Sequence, residues 1–136
     1  MVIARDLLDR VVAHALREFP NECCGLVAAR DETAVSVHEL QNVAASPLRF
    51  EVDGMALHRE LEGIESGGAR LAAIYHSHTR TDPRPSQTDL NFARGWPGVE
   101  WLIVGLHAGD GDPVVRSYRI DDGRATEVGL EVGDGD

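Results

Sequence analysis

The sequence predicts an α/β fold in which helices flank a central mixed β-sheet. Apolar residues recur with a helical period of about 3.6 in two segments and form short, strand-length runs between and after them. The 136 residues contain no internal repeat and no linker, which indicates one domain. We expect this domain to span residues 1–132 and residues 133–136 to form a flexible tail.

The first half of the chain is predicted to begin with a helix. Apolar residues from Ile3 to Phe19 follow the helical period, and the next residue is a proline, which cannot continue the hydrogen-bond ladder. Residues 24–29 have the apolar composition of a buried strand, whereas residues 34–40 alternate apolar and polar side chains as a half-exposed strand does. Residues 48–52 are expected to form another short strand.

The second half is predicted to begin with a helix that follows Asp53, whose carboxylate suits an N-cap, and that ends at a pair of glycines. The apolar strand 71–75 then runs directly into a histidine-rich segment. The loop 79–85 contains two prolines and leads to a short helix at residues 86–94. Three further strands are predicted in the rest of the chain, at residues 99–106, 114–120 and 125–132.

The charge balance disfavours nucleic acids and membranes as partners. The chain has 23 acidic against 13 basic residues, a net charge of −10, whereas phosphate-rich partners need a basic surface. No apolar stretch approaches the roughly 20 residues of a membrane span, and the charged N-terminus lacks the apolar core of a signal peptide. We therefore expect a cytoplasmic protein, in which the adjacent cysteines Cys23 and Cys24 stay reduced.

The strongest chemical signal is a pair of histidines at the end of an apolar strand. His76 and His78 are two residues apart, so in a strand both side chains point to the same face. Asp89 lies in the helix predicted to follow, which can fold back and add an oxygen ligand. Two histidines and one carboxylate form the ligand pattern of a catalytic zinc site that keeps one position for water.

Each part of this pattern also has a purely structural interpretation. Ser86 and Asp89 have the spacing of a helix capping box, which needs no metal. A lone His-x-His pair is more often solvated or packed in a core than bound to a metal. The combined spacing, between the end of an apolar strand and the start of a helix, favours the metal site. Capping and ligation are also compatible, because Asp89 can bind a metal while Ser86 begins the helix.

A base that activates water is predicted far upstream, at Glu22. This glutamate directly precedes the buried strand 24–29. If that strand pairs with the strand 71–75, the Glu22 carboxylate can reach a water molecule at the metal. The alternative is a solvated loop glutamate, which the periodicity does not exclude.

Together these residues resemble the JAMM (MPN+) family of zinc metallopeptidases. The sequence matches the motif of that family at every position: His76-Ser77-His78-x7-Ser86-x-x-Asp89, with an upstream glutamate in Asn21-Glu22-x-Cys24-Gly25. The likeness extends over nearly the whole chain. Within the family it is similar to the small bacterial Mec-type enzymes, which hydrolyse cysteine from the C-terminus of a ubiquitin-like sulfur-carrier protein during cysteine biosynthesis.

The resemblance implies a role for each residue of the motif and a cytidine-deaminase-like α/β domain. His76, His78 and Asp89 would bind one Zn²⁺ per chain, and this ion would activate water and polarise the scissile carbonyl. Glu22 would carry the proton from that water to the leaving amine, and Ser86 would donate a hydrogen bond to the oxyanion. The remaining histidines show no ligand spacing and are expected at the surface: His14, His38, His58 and His107.

The substrate that the resemblance implies is the extended C-terminal tail of a sulfur carrier. Such a tail can bind by adding a strand at a sheet edge. Arg80 and Arg84, in the loop 79–85, could contact a substrate carboxylate or acidic residues of the carrier, with solvated loop charges as the equal alternative. Because some relatives form dimers, the resemblance also allows a homodimer.

Three other functions compete with the release of cysteine, or of a short C-terminal extension, from a sulfur carrier. The first is a deubiquitinase-like JAMM isopeptidase that acts on other ubiquitin-like conjugates. The second is a non-catalytic MPN scaffold, which the complete ligand set and Glu22 disfavour. The third is a cysteine hydrolase that uses Cys24. We instead expect Cys24 to pack beside Glu22, and we predict an enzyme sensitive to chelators and indifferent to thiol reagents.

Overall fold

The computed structural model describes residues 1–107 and 111–133, which form one mixed sheet flanked by helices. The elements in chain order are β1 (Val2–Ala4), α1 (Arg5–Glu18), β2 (Cys24–Arg30), β3 (Thr33–Leu40), α2 (Gly54–Ser66), β4 (Arg70–His78), α3 (Gln87–Ala93), β5 (Glu100–Gly105), β6 (Val114–Asp121), β7 (Arg124–Val128) and β8 (Glu131–Gly133). The sheet order is β7-β6-β5-β4-β2-β3-β1-β8, with both parallel and antiparallel pairs, so the predicted fold class is confirmed.

Two segments differ from the expectation because contacts with residues distant in sequence decide their structure. Val2–Ala4 forms β1 between β3 and β8, although Ile3 also fits the helical period of α1. Residues 48–52 form no strand, and they belong to the connection between β3 and α2.

The predicted last strand, 125–132, is two strands at opposite edges of the sheet. β7 pairs with β6, and β8 pairs with β1. Gly133, which we assigned to the tail, ends β8, and residues 134–136 lie outside the described part. Only Gly129 and Leu130 separate the two strands, and three steps of 3.8 Å between Cα atoms span at most about 11 Å. The sheet must therefore curl until its two edges approach each other.

The two faces of the sheet carry separate cores. α1 covers the core that contains Val27 and Leu102, whereas α2 and α3 cover the core that contains Leu26 and Trp101. Neighbouring residues of a strand alternate between these faces because side chains in a strand have a period of two. None of the helices in the described part of the chain is both long and apolar enough to cross a membrane.

Because Gly25 in β2 has no side chain, the ring of Tyr75 in β4 can lie over the backbone of β2 at this position. The two residues are paired, and a side chain at position 25 would overlap the tyrosine ring. The ring extends toward α1, where its hydroxyl lies 2.7 Å from Nδ1 of His14. His14 is 2 % exposed, so our placement of this histidine at the surface is wrong. His58 and His107 are exposed as expected.

Candidate active site

The predicted metal ligands meet where β4 ends and α3 begins. His76 and His78 lie on one face of β4 and are 0 % and 5 % exposed. Phe50 packs against the His76 ring, with 4.9 Å between ring centroids. Asp89 reaches the same point from the first turn of α3, and it is also buried. The loop between these elements therefore folds back as the spacing of the motif predicts.

Three ligand atoms converge at this point. Nε2 of His76 lies 3.0 Å from Nε2 of His78, and Oδ2 of Asp89 lies 3.1 Å and 3.2 Å from these two nitrogens. The three side chains form a group that can hold a metal ion. Ligands about 2.0–2.2 Å from a tetrahedral zinc ion lie roughly 3.3 Å from one another, close to the separations found here.

The chemistry of the donor set also fits a divalent cation. Nδ1 of His78 lies 2.8 Å from the carbonyl oxygen of Asp82, which can only accept, so this nitrogen carries the proton. In neutral His78 the lone pair is then on Nε2, directed at His76 and Asp89. This lone pair and the Asp89 carboxylate, 3.2 Å apart, would repel each other, and a cation between them removes the repulsion.

The ionisation states of these residues follow from their contacts. Burial by itself raises the pKa of Asp89, but the close contacts of its carboxylate with His76 and His78 outweigh burial and hold this pKa far below its ordinary value. Burial by itself lowers the pKa of His78, whereas the contacts with Asp89 and the Asp82 carbonyl leave it raised. The site therefore holds an ionised carboxylate in a buried place that also favours a positive charge.

Ser86 and Asp89 form a complete capping box as well. The Ser86 hydroxyl oxygen accepts from the Asp89 backbone N–H at 3.2 Å, and Asp89 Oδ2 accepts from the Ser86 N–H at 2.9 Å. The same carboxylate oxygen thus begins the helix and faces both histidines. The bond at Ser86 uses one lone pair of its hydroxyl, which can still donate its own proton into the site.

Glu22 lies beside the ligands because β2 pairs with β4. Cys24 is opposite His76 in this ladder, and the Ser77 N–H donates to the Cys23 carbonyl oxygen just beyond it. The Glu22 side chain is 7 % exposed and lines the same pocket as His78. Burial raises its pKa to about 7, which His78 opposes only in part. A solvated loop glutamate does not fit this position.

A pocket of about 160 Å³ opens over the ligands. Neither Arg80 nor Arg84 is among its lining residues, and both are exposed. Its wall instead comes from the connection between β3 and α2, which no motif in the sequence indicates. The lining residues are Glu22, Leu48, Arg49, Phe50, His78, Thr81, Ser86, Thr88, Asp89 and Phe92.

Asn42 holds this wall in place through four hydrogen bonds. Its Nδ2 donates to the carbonyl oxygens of Glu22 at 2.9 Å and Arg49 at 3.0 Å. Its Oδ1 accepts from the N–H groups of Ala44 at 3.1 Å and Glu51 at 3.0 Å. One side chain therefore ties the backbone of Glu22 to the wall of the pocket, and sequence reasoning did not identify it.

Cys24 packs in the core beside these residues, as we predicted. Cys23 and Cys24 are each 1 % exposed, and burial raises the pKa of both thiols to about 12. A thiol that ionises only at such a pH is a poor nucleophile near neutrality. This environment argues against the cysteine hydrolase alternative.

The strand that carries the ligands is an inner strand, so a sheet edge at which a substrate strand could add lies elsewhere. β4 lies inside the sheet, with β2 and β5 as its neighbours. His76 is already paired with Cys24 on one side and Ile103 on the other. The free edges belong to β7 and β8, so a substrate must approach the ligands through the pocket instead.

Sequence comparisons place most of the chain in one family. A family model described as prokaryotic homologs of the JAB domain matches residues 4–121. A probable TtuB-protein conjugate cleaving protease of Thermus thermophilus is 40% identical over 133 residues, which cover 97% of this chain and 82% of that protein. A desampylase of Haloferax volcanii is 35% identical over 136 residues, or 95% of each chain. A CysO-cysteine peptidase of Mycobacterium tuberculosis is 33% identical over 137 residues, covering 97% of this chain and 90% of that protein.

Solved structures show the same fold. A protein from Desulfitobacterium hafniense, determined in solution, superimposes with a TM-score of 0.85 at 26% identity, covering 98% of this chain and 92% of that one. A JAB1/MPN domain protein from Archaeoglobus fulgidus superimposes with a TM-score of 0.65 at 23% identity, covering 97% of this chain and 98% of the other.

Proposed function

Because this chain belongs to the prokaryotic JAB (JAMM) family of metalloproteases, we propose that it is a zinc peptidase that removes cysteine, or a short C-terminal extension, from a ubiquitin-like sulfur carrier. The observation that carries the proposal is the convergence of His76, His78 and Asp89 on one point of a pocket that also contains Glu22. The name of the mycobacterial relative, a peptidase for a cysteine adduct, supports the substrate class.

The three converging atoms would hold the metal: Nε2 of His76, Nε2 of His78 and Oδ2 of Asp89. Zinc bound there would supply a Lewis acid for the scissile carbonyl and a lowered pKa for the attacking water. The protein contributes the orientation of its ligands. The Asp82 carbonyl fixes the tautomer of His78, and the Ser86 N–H fixes the carboxylate of Asp89.

Glu22 would act as the base and then as the acid. Its carboxylate accepts a proton from the attacking water while the hydroxyl group adds to the carbonyl carbon, and it later protonates the amine as the C–N bond breaks. A pKa of about 7 suits both steps, and a bound cation would lower this raised pKa by favouring the carboxylate. The products are a carrier that ends in a glycine carboxylate and a free amino acid.

Ser86 would stabilise the negative charge that develops on the carbonyl oxygen. Its hydroxyl lines the pocket, and the capping bond from Asp89 holds its oxygen in place. Because the orientation of this donor is set by the helix start, little reorganisation is needed during the reaction.

A second candidate is an isopeptidase that cleaves a carrier from a protein to which it is attached. The name of the Thermus relative, a conjugate cleaving protease, favours this possibility. Both candidates use the same site and differ only in what leaves. A non-catalytic scaffold would not require a complete ligand set with a buried base.

Mass spectrometry of intact substrates would test these functions. We would incubate the protein with a Gly-Gly-ended sulfur carrier from the same organism, made in three forms: with a C-terminal cysteine, with a short peptide extension, and joined to a lysine side chain. Each form would be treated with zinc-loaded protein, chelator-stripped protein and Glu22→Gln.

We expect zinc-dependent loss of one cysteine mass, absent in Glu22→Gln and unaffected by iodoacetamide. Cleavage of the lysine-linked form alone would support the isopeptidase instead. If a folded, zinc-loaded protein cleaves none of the three forms, the sulfur-carrier function is wrong.

A further inference from the structure

Resting on the proposed function, we propose that Arg49 binds the α-carboxylate of the residue that leaves, and that the protein therefore prefers substrates that release a single C-terminal residue. Arg49 is the one lysine or arginine among the described residues that line the pocket. The other charged residues there, Glu22 and Asp89, carry carboxyl groups.

The geometry of a C-terminal peptide bond places the substrate carboxylate close to the scissile carbonyl. Three covalent bonds separate the scissile carbonyl carbon from the carboxylate carbon of a single leaving residue, so the two are within about 4 Å of each other. The substrate carboxylate must therefore enter the same pocket as Glu22 and Asp89. Because the carboxyl groups of Glu22 and Asp89 line that pocket, a positive side chain at its wall favours the entry of another carboxylate.

The backbone of Arg49 is held at the wall, while its side chain is largely exposed to solvent. Asn42 donates to the Arg49 carbonyl oxygen at 3.0 Å, and the neighbouring Phe50 packs on the ring of His76. Thr79, which directly follows the ligand His78, donates to the Pro47 carbonyl oxygen at 2.8 Å. The wall thus contacts the end of β4 on both sides of Arg49, at His76 through Phe50 and at Thr79 through Pro47.

The guanidinium of Arg49 has a partner that a substrate can replace. It forms an ion pair with Glu51, and the two side chains are 55% and 57% exposed. Such an exposed pair contributes little to stability because water screens both charges. A substrate carboxylate inside the pocket is less screened and offers the planar guanidinium two oxygen acceptors. Exchanging Glu51 for the substrate therefore favours binding.

The same arrangement separates the two candidate substrates. A free C-terminal residue brings a carboxylate next to the scissile bond, whereas a lysine in an isopeptide bond brings a methylene chain. Arg49 would gain a partner only in the first case. This assignment also moves the carboxylate-binding role from Arg80 and Arg84, which do not line the pocket, to Arg49, which does.

The test compares two carrier substrates that differ in one group. Both end in Gly-Gly-Cys, one with a free carboxylate and one with a C-terminal carboxamide, and KM and kcat are measured for each with zinc-loaded protein. We expect the wild type to have a KM about 10- to 100-fold lower for the free acid, and Arg49→Gln to lose this preference by raising the KM of the acid alone. Arg49→Lys, which keeps the charge and loses the planar fork, should retain part of the preference.

Arg59→Gln is the matched control, because Arg59 is exposed on α2 and does not line the pocket, and it should behave as wild type. If the wild type cleaves acid and amide equally well, or Arg49→Gln impairs both to the same extent, Arg49 does not bind the carboxylate. Loss of the preference in Arg80→Gln or Arg84→Gln, with Arg49→Gln unaffected, would also overturn the assignment. If neither substrate is cleaved by the wild type, the proposed function itself fails, which is a distinct result.

Discussion

Buried histidines lie on both faces of β4. The α1 cluster consists of His14 and Tyr75, and the metal cluster consists of His76, His78 and Asp89. Of these two clusters, the metal cluster is the one that can hold a metal ion. Tyr75 and His76 are adjacent in the strand and point to opposite sides. On the α1 side, Nδ1 of His14 lies 2.7 Å from the Tyr75 hydroxyl, with the nearest carboxylate oxygens 3.8 Å and 4.0 Å from Nε2. On the other side, His76 and His78 share one carboxylate oxygen at 3.1 Å and 3.2 Å.

The two clusters differ in the groups that offset the negative charge of their carboxylates. Near His14, Glu39 is paired with Arg17, so a cation of the protein already neutralises its charge. In the metal cluster, the hydrogen-bond partners of Asp89 Oδ2 in the described part of the chain are the two rings and the Ser86 N–H. Burial of a histidine is therefore a weak indication of a metal site, whereas convergence of several donors on one anion is a strong one.

The largest difference is expected when one histidine of each cluster is substituted. His78→Gln removes a ligand, and we expect it to lose bound zinc and at least about 10³-fold in kcat/KM. His14→Gln should keep one zinc per chain and activity within a few-fold of wild type. Metal analysis and steady-state kinetics on the same preparations measure both. An active, zinc-bound His78→Gln protein would show that the cluster is not the catalytic site.

The next effect compares two helix starts that have the same capping bond. Ser86 begins α3 beside the ligands, whereas Asp53 begins α2 and accepts from the Ala56 N–H at 3.0 Å. Substitution of either cap residue by alanine should lower the free energy of unfolding by about 1 kcal/mol. Only Ser86→Ala should also lose about 10²–10³-fold in kcat, because it removes the proposed oxyanion donor. Stability is measured by denaturant titration and kcat by steady-state kinetics. Equal kcat values in Ser86→Ala and Asp53→Ala would show that Ser86 only caps the helix.

The third comparison concerns the wall of the pocket. In Asn42→Asp, a carboxylate oxygen replaces the amide group that faces the carbonyl oxygens of Glu22 and Arg49, so acceptor meets acceptor. We expect this repulsion to displace Glu22 and to lower kcat about 10-fold while zinc stays bound. Asn91→Asp is the control, since Asn91 lies on the exposed side of α3 and its side-chain oxygen accepts a hydrogen bond from Gln87. Loss of zinc in Asn42→Asp would mean that Asn42 supports the ligands rather than the base.

The metal cluster could be predicted from the sequence because it is built from local features. A strand end places His76 and His78 on one face, and a helix cap places Asp89 three residues after Ser86. Both relations hold over a few residues of backbone with regular geometry. Glu22 required one long-range assumption, the pairing of its strand with β4, and the structure contains that pairing.

The wall of the pocket could not be predicted in this way. Its shape depends on the Asn42 side chain bonding residues as distant as Glu22 and Glu51, and on Phe50 packing against His76. None of these contacts leaves a period or a spacing in the sequence, so residues 48–52 resembled a strand. The split of the last strand into β7 and β8 has the same cause, since only the curl of the sheet brings β8 to β1.

The smallest expected effect is a pH dependence of stability that comes from His14. Burial lowers the pKa of His14, with Glu39 opposing this and Arg17 adding to it, and Glu18 also faces the ring. The unfolded chain then binds a proton at a higher pH than the folded one does, so the free energy of unfolding falls as the pH drops below about 6.5. Glu39 does not titrate in this range, because its hydrogen bond with Arg17 lowers its pKa from an ordinary value of 4.5.

Zinc would obscure this dependence, since protons compete with the metal for its ligands. The His78→Gln protein removes that competition and provides the background for the measurement. Within it, adding His14→Gln should flatten the decline in unfolding free energy between pH 7.5 and 5.5, measured by denaturant titration. Equal slopes with and without His14 would show that the α1 cluster is not held neutral by its burial. A flatter slope would show that burial holds His14 neutral in the folded protein.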